Sequence, residues 1–166
     1  MLASHTAVVA QSITLLESVT GTEYQAISQP LFSASIGMHM RHIIDHFNAL
    51  IRGSDTLHVD YNVRSRHSET ETNPALALQQ LHDIQRWLSH LQPEQLSLSV
   101  TLAHEVNVDD EFVIYSTIAR ELVFCTSHAI HHYALVNIIR QLQGASTDNT
   151  FGLAPATIAF QQHNVN

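Results

Sequence analysis

At 166 residues, with 45% hydrophobic and only 13% charged side chains, the chain can bury one core and is too apolar for disorder, so a single domain over 1–166 is expected. Seven arginines, no lysine and fifteen carboxylates give a net charge of -8. The cations Arg41, Arg52, Arg64, Arg66, Arg86, Arg120 and Arg140 are scattered along the chain, which argues against a nucleic acid partner.

A lone cysteine, Cys125, excludes an intramolecular disulfide, and residues 1–19 are interrupted by His5, Gln11, Ser12, Thr14 and Glu17, so they lack a signal-peptide core. No continuous apolar run approaches the roughly 20 residues of a membrane helix. A cytoplasmic protein without a membrane partner is the expectation. Residues 3–20 carry Val8, Val9, Ile13, Leu15, Leu16 and Val19 at helical spacing and meet Gly21, which predicts a first helix ended by that glycine. After Pro30, residues 33–52 present Ile36, Met40, Ile43, Ile44, Phe47, Leu50 and Ile51, with Gly53 as the natural stop. This second predicted helix contains His39, His42 and His46.

Residues 54–73 turn polar and read as a long connection between helices, either a solvated crossover or a lid over a site. Asn73-Pro74 is a helix start, an N-cap residue followed by proline in the first helical position, and Leu76, Leu78, Leu81, Ile84, Trp87, Leu88 and Leu91 carry the third helix to Pro93. The period then changes. Leu96, Leu98, Val100 and Leu102 alternate with polar residues, and Val106, Val108, Phe112 and Ile114 follow around Asp109-Asp110, which predicts a short antiparallel hairpin over about 95–115. A fourth helix over 117–143 carries Ile118, Leu122, Val123, Ala129, Leu135, Ile138, Ile139 and Leu142 and stops at Gly144. Ala154-Pro155-Ala156 opens a short helix through Phe160, which either packs on the other helices or mediates self-association. The chain is therefore read as all-α, with a hairpin inserted before its last long helix.

Six of the thirteen histidines fall in two clusters, His39, His42 and His46 on the second helix and His128, His131 and His132 on the fourth. Positions four apart project to the same side of a helix, so His128 and His132 can grip one ion from consecutive turns. Glu121 and Cys125 lie on the same stripe at spacings of four and three, as further ligands or as groups that orient ligands; Cys125 reads equally as a buried apolar residue. His131 points about 100° away from His132. On the second helix, His39, His42 and His46 share a stripe with Asp45 beside it, and spacing alone leaves the ligand open among them. Two histidines from one helix and one from the other leave a coordination position free, as in catalytic rather than structural zinc. His128 is followed by Ala129, so the general base of a His-Glu-x-x-His protease is missing.

The segments Gly37-Met38-His39-Met40-Arg41-His42-Ile43-Ile44-Asp45-His46-Phe47 and His128-Ala129-Ile130-His131-His132-Tyr133-Ala134 resemble the two metal-site signatures of the DinB/YfiT-like metalloenzymes. The resemblance implies a four-helix bundle, often a homodimer, that holds a divalent ion, zinc or nickel, on one histidine of the second helix and a His-x-x-x-His pair of the last bundle helix. By that likeness the ligands fall on His42, which precedes Asp45 in a His-x-x-Asp pattern, and on His128 and His132. The implied chemistry is thiol-dependent transfer using a low-molecular-weight thiol, with the ion lowering the pKa of a thiol or water nucleophile. A metal-dependent hydrolase is the nearest variant, and a non-catalytic dimerising scaffold the reading from a different class. Arg64 and Arg66 are candidates for pairing with a substrate carboxylate, or simply solvated arginines.

Overall fold

A computed structural model describes residues 2–107 and 110–163. Its frame is a four-helix bundle of α1 (Leu2–Ser18), α3 (Ile36–Thr56), α4 (Pro74–His90) and α5 (Ile118–Leu142), with a short α2 (Gly21–Gln25) after the first helix and α6 (Pro155–His163) at the end. Helix α1 packs on α4 and α5, and α3 packs on α4 and α5, so α3 and α5 share a long seam. The core between the four helices is aliphatic and aromatic, with Ile36, Met40, Phe47, Leu50, Leu81, Ile84, Ile118, Leu122, Tyr133 and Val136 all but inaccessible.

The helix starts follow local chemistry. Asn73 caps α4 by accepting from the backbone N–H of Ala75 and Leu76, with Pro74 behind it. Ser35 caps α3 and Thr117 caps α5 in the same manner. Gly21, read from sequence as a stop, instead opens α2, because Thr20 and Glu23 form a reciprocal capping box across it.

Gly53 is a second correction. Helix α3 runs through it to Thr56 and ends at Leu57, which adopts a left-handed conformation (φ 55°). A Cβ on Gly53 would collide with the Val59 side chain and lie 2.9 Å from the His58 carbonyl oxygen, so the glycine serves the close approach of the returning chain. That returning chain forms β1 (His58–Asp60), a strand within the predicted connection. The hairpin is present as β2 (Ser99–Asn107) and β3 (Asp110–Thr117), antiparallel and out of step near Glu105, while Pro93–Ser97 forms a 3₁₀ turn ahead of it. Val108 and Asp109 lie outside the described residues. Strand β1 pairs in parallel with β2, giving a three-stranded sheet of order β1-β2-β3 instead of the hairpin alone.

The rest of the connection is tied to α3. A second 3₁₀ turn, Glu69–Glu71, crosses the first turn of α3 so closely that a Cβ on Gly37 would meet the Glu71 carbonyl oxygen. By length and composition α5 passes the test for a helix that can cross a membrane. Here it lies in the bundle, with Glu121 and Arg140 buried along it.

Candidate metal centre

The site lies on the α3–α5 seam. His42 Nε2 is 2.9 Å from His128 Nε2, and His128 Nε2 is 3.2 Å from His132 Nε2. The three ligand atoms all lie within 4.8 Å of one another. A neutral imidazole carries one N–H and one lone pair, so a single proton on His128 cannot satisfy both nitrogens facing it. Convergent lone pairs are what a cation accepts. At zinc–nitrogen bonds of about 2.0–2.1 Å, tetrahedral ligands sit roughly 3.3 Å apart, close to the spacing here.

Electrostatics keep these rings neutral. Burial is the first cause in each case, and the neighbouring imidazoles follow: His42 is pushed down to about 2, His132 to about 3 and His128 to about 4. Lone pairs are therefore available at neutral pH without prior loss of a proton.

His39 and His46 sit one turn to either side of His42, and neither joins the three. His39 Nδ1 is 2.8 Å from His132 Nδ1, so one of that pair donates to the other. If His132 offers its Nε2 lone pair to a cation, its proton is on Nδ1 and His39 Nδ1 accepts it. The proton of His39 then lies on Nε2, a buried atom without a hydrogen-bond partner among the described residues. His39 thus fixes the tautomer and ring orientation of His132, a role commonly taken by a carboxylate or carbonyl. The Nδ1–H of His46 donates to the His42 carbonyl at 2.8 Å. Its ring packs 4.4 Å from that of His128 and stacks on Tyr61 at 5.3 Å, and burial holds both His39 and His46 below the usual histidine range.

The other residues singled out from sequence are placed nearby but are engaged elsewhere. Asp45 accepts from Arg41 Nη1 (3.3 Å) and from the Ser65 backbone N–H (3.0 Å), while Arg41 Nε donates to Glu71 (2.8 Å). This network fastens the connection to the ligand helix. Glu121 is fully buried and accepts from Tyr61 Oη (2.9 Å), Ser116 and Arg120 (2.8 Å). Cys125 lies beside Tyr61 and the His46 carbonyl, and burial pushes its thiol up to about 12. His131 is exposed, its ring 5.3 Å from that of His132. Arg64 donates through Nε to the Tyr61 carbonyl at 3.5 Å, and its charge is felt by His42, His46 and His128. Arg66 is exposed, with no hydrogen bond or ion pair among the described residues.

Sequence reasoning missed Tyr61, which links the ring of His46 to buried Glu121. It also missed Phe124, which stacks on His128 at 5.7 Å. The available signal was the apolar alternation of Leu57, Val59, Tyr61 and Val63, a strand period inside an otherwise polar stretch. A separate groove of about 470 Å³, lined by Ala7, Gln11, Phe151 and neighbours, opens beside α1 away from the histidines.

Residues 5–136 match the sequence profile of the DinB superfamily. Among solved structures, YjoA, a DinB-like protein from Bacillus subtilis, is similar with a TM-score of 0.62 at 16% identity, over 90% of this chain and 96% of that one. YfiT from the same organism, described as a probable metal-dependent hydrolase with an unusual four-helix bundle topology, gives a TM-score of 0.60 at 19% identity, over 87% of this chain and 89% of that one. At these identities the likeness is one of fold. A curated relative, FK506-binding protein 5 of Rhizopus delemar, is 30% identical over 102 residues, and the match spans 60% of this chain and 26% of that protein.

Proposed function

We propose that this chain, which belongs to the DinB superfamily, is a divalent-metal-dependent enzyme whose ligands are His42, His128 and His132. The meeting of three Nε2 atoms from two helices carries the reading. Three protein ligands leave room for a nucleophile, the ligand count of catalytic zinc, and imidazole suits zinc and nickel alike. A divalent ion supplies there a lowered pKa for an adjacent water or thiol. The chain's own residues do the rest. His39 sets the proton on His132, while His46 and Phe124 pack against the His128 ring.

Hydrolysis is the reaction read first, supported by the description of YfiT. Thiol-dependent transfer uses the same ligands, with a low-molecular-weight thiol in place of water. A panel of ester, amide and electrophilic thiol-acceptor substrates, assayed with and without added thiol, separates the two. Chelation is expected to abolish turnover and added zinc or nickel to restore it, with His128→Ala and His132→Ala inactive and no longer binding one ion per chain by calorimetry. Full activity in metal-stripped protein, or no metal bound at all, overturns the proposal.

A further inference from the structure

The loop between β1 and the Glu69–Glu71 turn is held at both ends of a five-residue stretch. At one end, Tyr61 is fixed by its Oη on Glu121 and by its ring against His46. At the other, the Ser65 backbone N–H donates to Asp45, on the turn of α3 that follows His42. Arg64 lies between these anchors, and its Nε donates to the Tyr61 carbonyl.

Arg41, Arg86, Arg120 and Arg140 each pair with a carboxylate, whereas Arg52, Arg64 and Arg66, all exposed, have none within ion-pair reach among the described residues. Of these three, Arg64 alone is tied by its side chain to the loop that packs on His46. The chain carries a net charge of -8, so an unpaired guanidinium beside the histidines is a local reversal of an otherwise anion-repelling molecule. With Nε committed to the backbone, both Nη atoms remain for a planar anion.

We infer that Arg64 binds the carboxylate of the substrate, so that the site takes small molecules carrying an anionic group a few bonds from the atom that meets the histidine cluster. This rests on the metal-dependent reading above and names the substrate class for the same site. Arg66, which lacks such anchoring, takes no part.

The test uses cobalt(II)-loaded protein and two probes of similar size, 3-mercaptopropionate and 2-mercaptoethanol, each followed by its thiolate-to-cobalt absorption band. The carboxylate probe is expected to bind roughly tenfold or more tightly than the alcohol, the range of one charge-assisted hydrogen-bonded contact. Arg64→Ala should remove that advantage and leave 2-mercaptoethanol binding and the melting temperature unchanged; Arg64→Lys should keep part of it, and Arg66→Ala all of it. Equal affinity of the wild-type protein for both probes, or an equal loss for both in Arg64→Ala, overturns the assignment. Failure to bind cobalt would sink the metal reading instead. The Arg64 assignment then stands or falls on the side-chain Nε–H resonance of Arg64 in metal-free protein, which 3-mercaptopropionate must shift and 2-mercaptoethanol must not.

Discussion

The seam between α1 and α4 and the seam between α3 and α5 belong to one bundle but are built from different materials. The residues that α4 buries are Ala77, Leu81, Ile84 and Leu88, and its partner α1 buries Val8, Val9, Ile13, Leu15 and Leu16, with His5 turned to Thr126 of α5 and Ser12 closed on its own helix. The α3–α5 seam instead takes in the rings of His39, His46 and the half-buried His42, His128 and His132. Burying a polar group costs free energy unless it finds a partner, and on the second seam His39 Nε2 has none among the described residues. The bundle keeps one seam for hydrocarbon and gathers its imidazoles on the other.

That division can be broken most forcefully by one substitution on each seam. Leu81→Ala is expected to lower stability by about 2–5 kcal/mol in denaturant melts, with metal stoichiometry unchanged in the folded protein. His42→Ala should do the reverse, abolishing tight metal binding in calorimetry while leaving the metal-free melt near that of the wild type. If Leu81→Ala weakened metal binding as much as His42→Ala, the two seams would not be separable.

Acid should find the polar seam first. In metal-free protein the folded-state values of His42, His132 and His128, about 2, 3 and 4, lie below the ordinary value of 6.5 chiefly because the rings are buried. The unfolded chain therefore takes up protons that the folded chain refuses. Stability is fully present above pH 6.5 and falls as pH drops from there towards 4 and below. Melting temperature is expected to be level above pH 7 and to decline through this window. The decline should be shallower in the His42→Gln, His128→Gln, His132→Gln triple variant, and an unchanged slope would show that other groups govern it.

A smaller effect sharpens the picture within the polar seam. His39→Ala removes the partner of His132 Nδ1 without removing a member of the triad. Metal affinity should fall about 10- to 100-fold by calorimetry, the usual consequence of losing a group that orients a ligand, with stoichiometry still one. Wild-type affinity in that variant would make His39 a packing residue.

Much of this was legible in the chain. The Asn73-Pro74 start, the stop after Leu142 and the two histidine stripes rest on local chemistry that tertiary structure does not override. The bundle and the meeting of His42 with His128 and His132 follow from spacing together with the family likeness. Gly53 was misread because a glycine that ends a helix and a glycine that admits a neighbouring strand look alike from one sequence, and only the position of Val59 distinguishes them. The three-residue β1 was hidden because so short a strand is defined by its pairing with β2, more than forty residues onward. Choosing among His39, His42 and His46 required knowing which nitrogens were already committed, information that resides in three dimensions.

Helix α5 carries apolar residues around its whole circumference, with Val123, Ile138 and Leu142 exposed while Leu122, Val136 and Ile139 are buried. For carbon alone, several rotational settings of such a helix would be nearly equivalent. The setting is chosen by its polar side chains: Glu121 meeting Tyr61, Arg140 meeting Glu23, and two imidazoles facing α3. A single residue inserted between Cys125 and His128 would swing everything beyond it by about 100°. Such a lesion would leave a bundle that still buries its hydrocarbon but has lost the phase that turns His128 and His132 towards His42.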